Sequence, residues 1–198
     1  MEPLQVEAVR GDITTEPVDA IVNAANASLL GGGGVDGAIH AAAGPDLLTE
    51  CPELRRTSHP GGLAVGEAVA TGAGALPCRW VIHTVGPNRH AGETDPALLA
   101  SCFRRSLEVA EGLGAGSVAV PAVSAGVYGW DVGTVARIAV ETTRAWAAAA
   151  GRSVEVKERT RPAAMSGGPG LRTVRFVLFG DDALAAFRRA LAPGDVSN

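Results

Sequence analysis

Asp36 and His40 stand four positions apart in the run GGGGVDGAIH (31–40), a spacing that on a helix puts two side chains on one face about 6 Å apart. A carboxylate and an imidazole so placed can work as a pair, one handling a water proton and the other holding its partner. Each also has a plainer use: a first-turn aspartate complements the helix dipole, and a buried histidine can serve packing alone. The residues ahead of the pair bear on that choice. Gly33, Gly34 and Gly37 carry no side chain to keep backbone N–H groups from converging on an anion, and a helix starting near Val35 adds the positive end of its dipole.

Gly32, Gly34 and Gly37 also satisfy the dinucleotide pattern G-x-G-x-x-G, but that pattern follows its strand within a tight turn. Here NAANASLL intervenes, and the acidic residue expected about 20 positions on does not end a second strand. No Gly-Lys-Ser/Thr follows, so a Walker loop is excluded as well. A second loop with the same physics lies at SAGVYG (124–129), small residues and two glycines just before a helix. Two anion-cradling loops at two strand ends suggest a diphosphate ligand. Asn23 and Asn26 end an otherwise apolar run, where an amide is costly unless its hydrogen bonds are made.

The elements that must position these residues follow from apolar patterning. LQVEAVR (4–10) alternates as a strand, and DAIVNA (19–24), EAVAT (67–71), WVIHTV (80–85), SVAVPA (117–122) and TVRFVLF (173–179) are short apolar runs of the kind buried strands show. Helical stretches fall between them at 36–43, 46–56, 96–112, 132–150 and 181–191, with Asp131 as N-cap and Gly151 as C-cap of the fourth. Strands alternating with helices give an α/β sandwich. Residues 155–170, EVKERTRPAAMSGGPG, break the pattern and read as an exposed insertion, and the terminal APGDVSN reads as frayed.

Composition narrows the function. The chain has 198 residues, enough for one domain with a full core, and its 46% apolar residues include only 4% aromatic ones, the profile of an α/β core of Ala, Val, Leu and Ile. The formal net charge is −4 and no basic block of five occurs, so the footprint of a nucleic-acid or anionic-membrane binder is missing. With no signal-like N-terminus and no apolar run near the roughly 18 residues of a membrane span, a cytoplasmic chain is expected. Cys51, Cys78 and Cys102 share no metal-ligand spacing and read as reduced thiols, and no His, Cys or Asp set forms a metal site. His83 falls inside a strand as a packing residue, and His59 and His90 fall in loops without partners.

In order, GDIT (11–14), NAAN (23–26), GGGGVDGAIH (31–40), GEAVAT (66–71), VIHTVGP (81–87) and PAVSAGVYG (121–129) resemble the macrodomain family, its MacroD-type hydrolases in particular. The resemblance runs from residue 4 to 191 outside the insertion. It implies a single domain over 1–198 with the macrodomain fold, a three-layer α/β/α sandwich around a mixed, mostly parallel sheet. It implies ADP-ribose as ligand, with Asp12 accepting from the adenine amino group, unless Asp12 serves only as a turn or N-cap residue, Ile13 packing beside the base and Phe179 stacking on it, unless Phe179 is a core residue. Asn26 falls on the distal ribose and Asn23 holds the loop. Gly33, Gly34, Val35 and Gly37, with Ser124, Ala125, Gly126, Val127 and Tyr128 opposite, enclose the diphosphate and distal ribose.

The same resemblance assigns catalysis to Asn26, Asp36 and His40: Asp36 activates water against the anomeric carbon and His40 positions it. The implied reaction is hydrolysis of the bond between an acyl oxygen and C1″ of ADP-ribose, on proteins mono-ADP-ribosylated at Asp or Glu and on O-acetyl-ADP-ribose. No metal or redox cofactor is needed for it, no nucleic-acid or membrane partner is implied, and a monomer is expected. A non-catalytic ADP-ribose reader and an ADP-ribose 1″-phosphate phosphatase would use the same pocket. The chain departs from its relatives at GGLAVGEA (61–68), at Ala125 and at Trp130-Asp131, which leaves substrate preference open.

Overall fold

The apolar runs become strands of one seven-stranded sheet in the computed structural model, which describes residues 2–157 and 170–192. The strands are β1 (Leu4–Arg10), β2 (Ala20–Ala25), β3 (Ala68–Gly72), β4 (Trp80–Val85), β5 (Ser117–Val120), β6 (Val154–Val156) and β7 (Thr173–Leu178), in the order β3-β4-β2-β5-β7-β1-β6. Every pairing is parallel except that of β3 with β4. Helices α1 (Gly34–Ala43) and α2 (Pro45–Thr57) cover one face, where Ile39 and Leu47 pack with Ile21 and Val81. Helices α3 (Pro96–Gly112), α4 (Val132–Ala149) and α5 (Asp181–Leu191) cover the other, where Phe103, Leu107, Val135 and Phe187 meet Val22, Ile82 and Phe176. This is the expected three-layer sandwich around a mixed, mostly parallel sheet. Covering both faces is why β2 and β5 read as largely apolar runs rather than as alternating ones.

A buried carboxylate fixes which strands are neighbours. Asp19, just before β2, accepts from the N–H groups of Gly116 and Ser117 at 2.9 and 3.1 Å and from Ser117 Oγ at 3.1 Å. Its charge is therefore hydrogen-bonded where burial would otherwise make it costly, and β2 is pinned to β5. At the opposite, carboxyl ends of β1, β2, β5 and β7, four adjacent strands release their loops on one side of the sheet. Open α/β sheets bind ligands at that edge.

Several boundaries differ from those expected, most by one or two residues. Residues 154–156, placed at the edge of the insertion, form β6 and pair with Leu4, Gln5 and Val6 of β1; residues 158–169 of that insertion, and 193–198 of the terminal stretch, lie outside the described residues. Helix α1 starts two residues early, at Gly34. Helix α4 begins as expected, with Asp131 Oδ2 accepting from Thr134 N–H at 2.8 Å. Its C-cap is Ala150, one residue before the expected glycine; Gly151 (φ +68°) follows, with Gly151 N–H bonded to Ala148 O and Arg152 N–H to Ala147 O, the paired bonds of a Schellman ending.

The cap bonds from Thr134 hold the Asp131 carboxyl below its usual range, so its contribution is present above the unfolded carboxylate pKa and lost as pH falls through the folded one. Asp131→Ala is expected to lower Tm by roughly 2–4 °C at pH 7, a deficit that closes in acid. Calorimetry at the two pH values checks this, and an unchanged Tm at pH 7 contradicts it.

Candidate active site

A cleft of about 750 Å³ opens at the carboxyl ends of β1, β2, β5 and β7, lined by three loops and the start of α1. Its first wall is the end of the Gly31–Gly34 run. Gly33 caps α1 without any side-chain bond, which leaves the first-turn N–H groups beside Gly33, Gly34 and Val35 open to a ligand. The second wall is the 124–128 loop, with Ser124 to Tyr128 all on the lining. Ser124 is held at φ +67°, unusual outside glycine, and its Oγ is buried without a hydrogen-bond partner among the described residues. The loop is braced from behind by Trp130 Nε1 donating to Pro87 O at 3.0 Å and by Arg89 N–H donating to Tyr128 O at 2.9 Å.

The third wall comes from the turn after β1 and the end of β7. Asp12 is exposed on the lining; its Oδ1 caps a short 3-10 turn, Ile13–Thr15, by accepting from Thr14 N–H and Oγ1 at 2.9 and 2.7 Å. Ile13 is buried beside it. Phe179, for which a place in the core was the alternative, is 88% exposed at the rim. An aromatic so uncovered in a ligand cleft offers a stacking face.

Asp36 and His40 do meet. Asp36 is 3% exposed yet reaches the lining, and His40 Nε2 lies 3.3 Å from its Oδ1. The contact lacks hydrogen-bond geometry, for neither ring nitrogen of His40 is aligned with a partner among the described residues. Oδ1 instead accepts from Asn23 Nδ2 at 2.7 Å. Asn26 lines the cleft, but its amide is engaged in its own loop, Nδ2 donating to Gly31 O at 2.9 Å and Oδ1 accepting from Ser28 N–H at 3.0 Å and from Ser28 Oγ.

Asn23, Gly37 and His40, singled out from the sequence, do not reach the lining. Asn23 and His40 lie behind Asp36, and Gly37 lies behind Gly32, where a Cβ would come 2.6 Å from Gly32 O. Gly32, which the sequence marks only through the rejected dinucleotide pattern, does line the cleft. A Cβ there would sit 3.0 Å from Asp36 Oδ2 and 3.2 Å from Asn26 Nδ2, so the glycine keeps open the space between those two groups. Four glycines in a row were the available signal, and only position matters among them.

A family model of the macro domain matches residues 22–139. The chain belongs to the macro domain family. It is similar to a macro domain-containing protein of Streptomyces griseus, 51% identical over 187 residues that cover 94% of each chain. It is also similar to the O-acetyl-ADP-ribose deacetylase of Klebsiella pneumoniae, 45% identical over 190 residues, 96% of this chain and 97% of the relative. Among solved structures, the Trypanosoma brucei macrodomain in complex with ADP-ribose superposes with a TM-score of 0.76 at 35% identity, covering 93% of this chain and 68% of that one.

Titration behind the macro domain's cleft is set by burial. Desolvation, with His40 adding to it, pushes the fully buried His83 imidazole down to about 3. Because an unfolded histidine titrates near 6.5, the native state binds fewer protons than the unfolded one between those values. Stability is then lost as pH falls from about 6.5 toward 3, at about 1.4 kcal/mol per pH unit from this group. Urea unfolding at pH 7 and pH 5 is expected to show this slope and His83→Gln to flatten it; equal slopes contradict the assignment. Burial likewise pushes Cys51, Cys78 and Cys102 up to about 11, which keeps all three as unreactive thiols near neutrality. Among the described residues no group of His, Cys, Asp and Glu is placed to hold a metal, and no helix is long and apolar enough to cross a membrane.

Proposed function

We propose that this macro domain binds ADP-ribose in the cleft and hydrolyses esters at its C1″, releasing mono-ADP-ribose from Asp or Glu of modified proteins and deacetylating O-acetyl-ADP-ribose. The observation that carries the reading is the Asp36 carboxylate: it is nearly buried, yet it edges a cleft whose neighbouring wall is an uncapped helix N-terminus suited to phosphate. Similarity over nearly the whole chain to a relative named O-acetyl-ADP-ribose deacetylase supports it, as does the solved ADP-ribose complex of a similar fold.

In the reaction, water oxygen bonds to C1″ as the C1″–O(acyl) bond breaks, the carboxylate leaves with the electron pair, and Asp36 takes the water proton. Phe179 and Asp12 hold adenine, the two loops hold the diphosphate, and His40 packs Asp36 from behind. Asn26 meets the distal ribose by exchanging one of its loop bonds.

The test is release of ADP-ribose from a glutamate-ADP-ribosylated protein and of acetate from O-acetyl-ADP-ribose, with Asp36→Ala and Asn26→Ala beside wild type. Release by wild type and its loss in both variants is the expected result. Tight ADP-ribose binding without release would leave a reader domain. Preferential release of phosphate from ADP-ribose 1″-phosphate would make it a phosphatase.

A further inference from the structure

Asn23, His83 and Thr71 lie on the same face of three adjacent strands, β2, β4 and β3, beneath α1 and α2. Asn23 and His83 are register partners across the parallel β2–β4 pair. All three are buried polar side chains, and none reaches the cleft. They are nonetheless joined to it. Asn23 Nδ2 lies 2.7 Å from Asp36 Oδ1 and 3.1 Å from His83 Nδ1, His83 Nε2 lies 2.9 Å from Thr71 Oγ1, and Thr71 Oγ1 lies 2.9 Å from Gly72 O.

The two ends of this chain dictate every proton within it. A carbonyl and a carboxylate only accept. Thr71 therefore donates to Gly72 O and accepts from His83 Nε2–H, which leaves Nδ1 as the acceptor for one Asn23 N–H while the other goes to Asp36. The alternative amide orientation would turn the Asn23 oxygen onto the Asp36 carboxylate, a repulsive contact. Cys51 Sγ, 3.9 Å from Nε2, is a weak second acceptor of the same proton. Asn23 Oδ1 is meanwhile buried with no partner among the described residues. An asparagine serving stability alone would satisfy its oxygen; this one leaves it orphaned while its nitrogen faces both acceptors.

We propose that His83 and Thr71 are positioning residues for Asp36, locking the Asn23 amide so that Asp36 Oδ1 is held inward and Oδ2 faces the gap beside Gly32. The inference rests on the hydrolase reading of Asp36. Burial keeps His83 neutral near neutrality, as the chain requires. Losing the Thr71 acceptor frees the other imidazole tautomer, whose Nδ1–H confronts the Asn23 N–H and drives the amide to turn.

Thr71→Val, nearly isosteric and remote from the ligand, is the decisive variant, with Thr71→Ser restoring the hydroxyl. Expected is a fall of about tenfold or more in kcat for O-acetyl-ADP-ribose with KM and the ADP-ribose Kd within about twofold, and recovery in Thr71→Ser. Long-range 1H–15N spectra should give His83 as the Nε2–H tautomer in wild type and shift it in Thr71→Val, with Tm recorded for each protein. An active wild type with kcat unchanged in Thr71→Val, or a wild-type Nδ1–H tautomer, overturns the positioning role. A wild type that binds ADP-ribose but releases nothing from either ester overturns the hydrolase reading and the catalytic role with it, while the spectra still decide the bonding chain. If Thr71→Val proves unfolded, Asn23→Ser is measured instead, expected to lower kcat with Kd held; a retained kcat there overturns the role.

Discussion

Asp36→Asn is expected to lower kcat for O-acetyl-ADP-ribose by a factor of 10² or more, while the ADP-ribose Kd changes by no more than about threefold. A general base contributes about 10²–10⁴ in rate, and under the proposed mechanism the variant removes that base with little else. Asparagine can keep its Oδ1 on Asn23 Nδ2, where Asp36 Oδ1 now accepts at 2.7 Å, and turn its amide nitrogen into the space kept open by Gly32. The side chain is 3% exposed, so this same-sized replacement avoids the cavity that alanine would leave. Single-turnover release and calorimetric binding, run on the same preparation, separate the two quantities. Retention of the rate within about threefold would assign water activation to the substrate's own phosphate, and a parallel loss of binding would make Asp36 a ligand-holding residue.

Much of this arrangement was legible in the sequence, for identifiable reasons. Strands buried on both faces announce themselves as short apolar runs, and helix α4 carries its own N-cap in Asp131. Strand β6 was not legible. Its three residues have an edge position and a half-exposed pattern, and only β1 beside them makes them a strand. Within the site, residue types and spacing marked Asp36 and the 124–128 loop, the family resemblance added Asn26 and Asp12, and all of them line one cleft. Spacing could not tell that Asn23 serves Asp36 from behind, although the period of two in a strand sets Asn23 on the face of Ile21 and Ala25, toward α1. That His83 completes the same contact depends on the β2–β4 register, a long-range fact that no local pattern holds. Phe179 shows the opposite case: nothing in TVRFVLF separates its last aromatic from Phe176, and only the end of β7 puts one in the core and the other at the rim.

The largest effect on stability is expected at Arg175, a residue no motif marks. It lies on β7 opposite Glu7 of β1, 5% exposed, with Nε 2.7 Å from Glu7 Oε1 and Nη1 2.6 Å from Glu16 Oε2. Burial alone would lower the guanidinium pKa, but the hydrogen bonds it donates to Glu16 and Glu7 more than offset it and the net shift is upward, so the arginine stays charged throughout. Arg175→Met fills much of the same volume and leaves Glu7, 4% exposed, and the half-buried Glu16 without a cation. Breaking a buried pair in this way costs about 3–5 kcal/mol, or roughly 6–20 °C in Tm. The sign of its pH dependence is fixed. Stranded buried carboxylates have pKa values above those of the unfolded chain, so the native variant binds more protons and loses stability as pH rises through that interval. Urea unfolding should therefore show a larger deficit at pH 8 than at pH 5, and Glu7→Leu added to Arg175→Met should recover part of it. Glu16 also ends the turn that carries Asp12 and Ile13, so the single variant should weaken ADP-ribose binding at a temperature where it is still folded. A deficit below 1 kcal/mol, or one that grows in acid, would mean that the triad is solvated in solution and that Arg175 holds neither the sheet nor the turn.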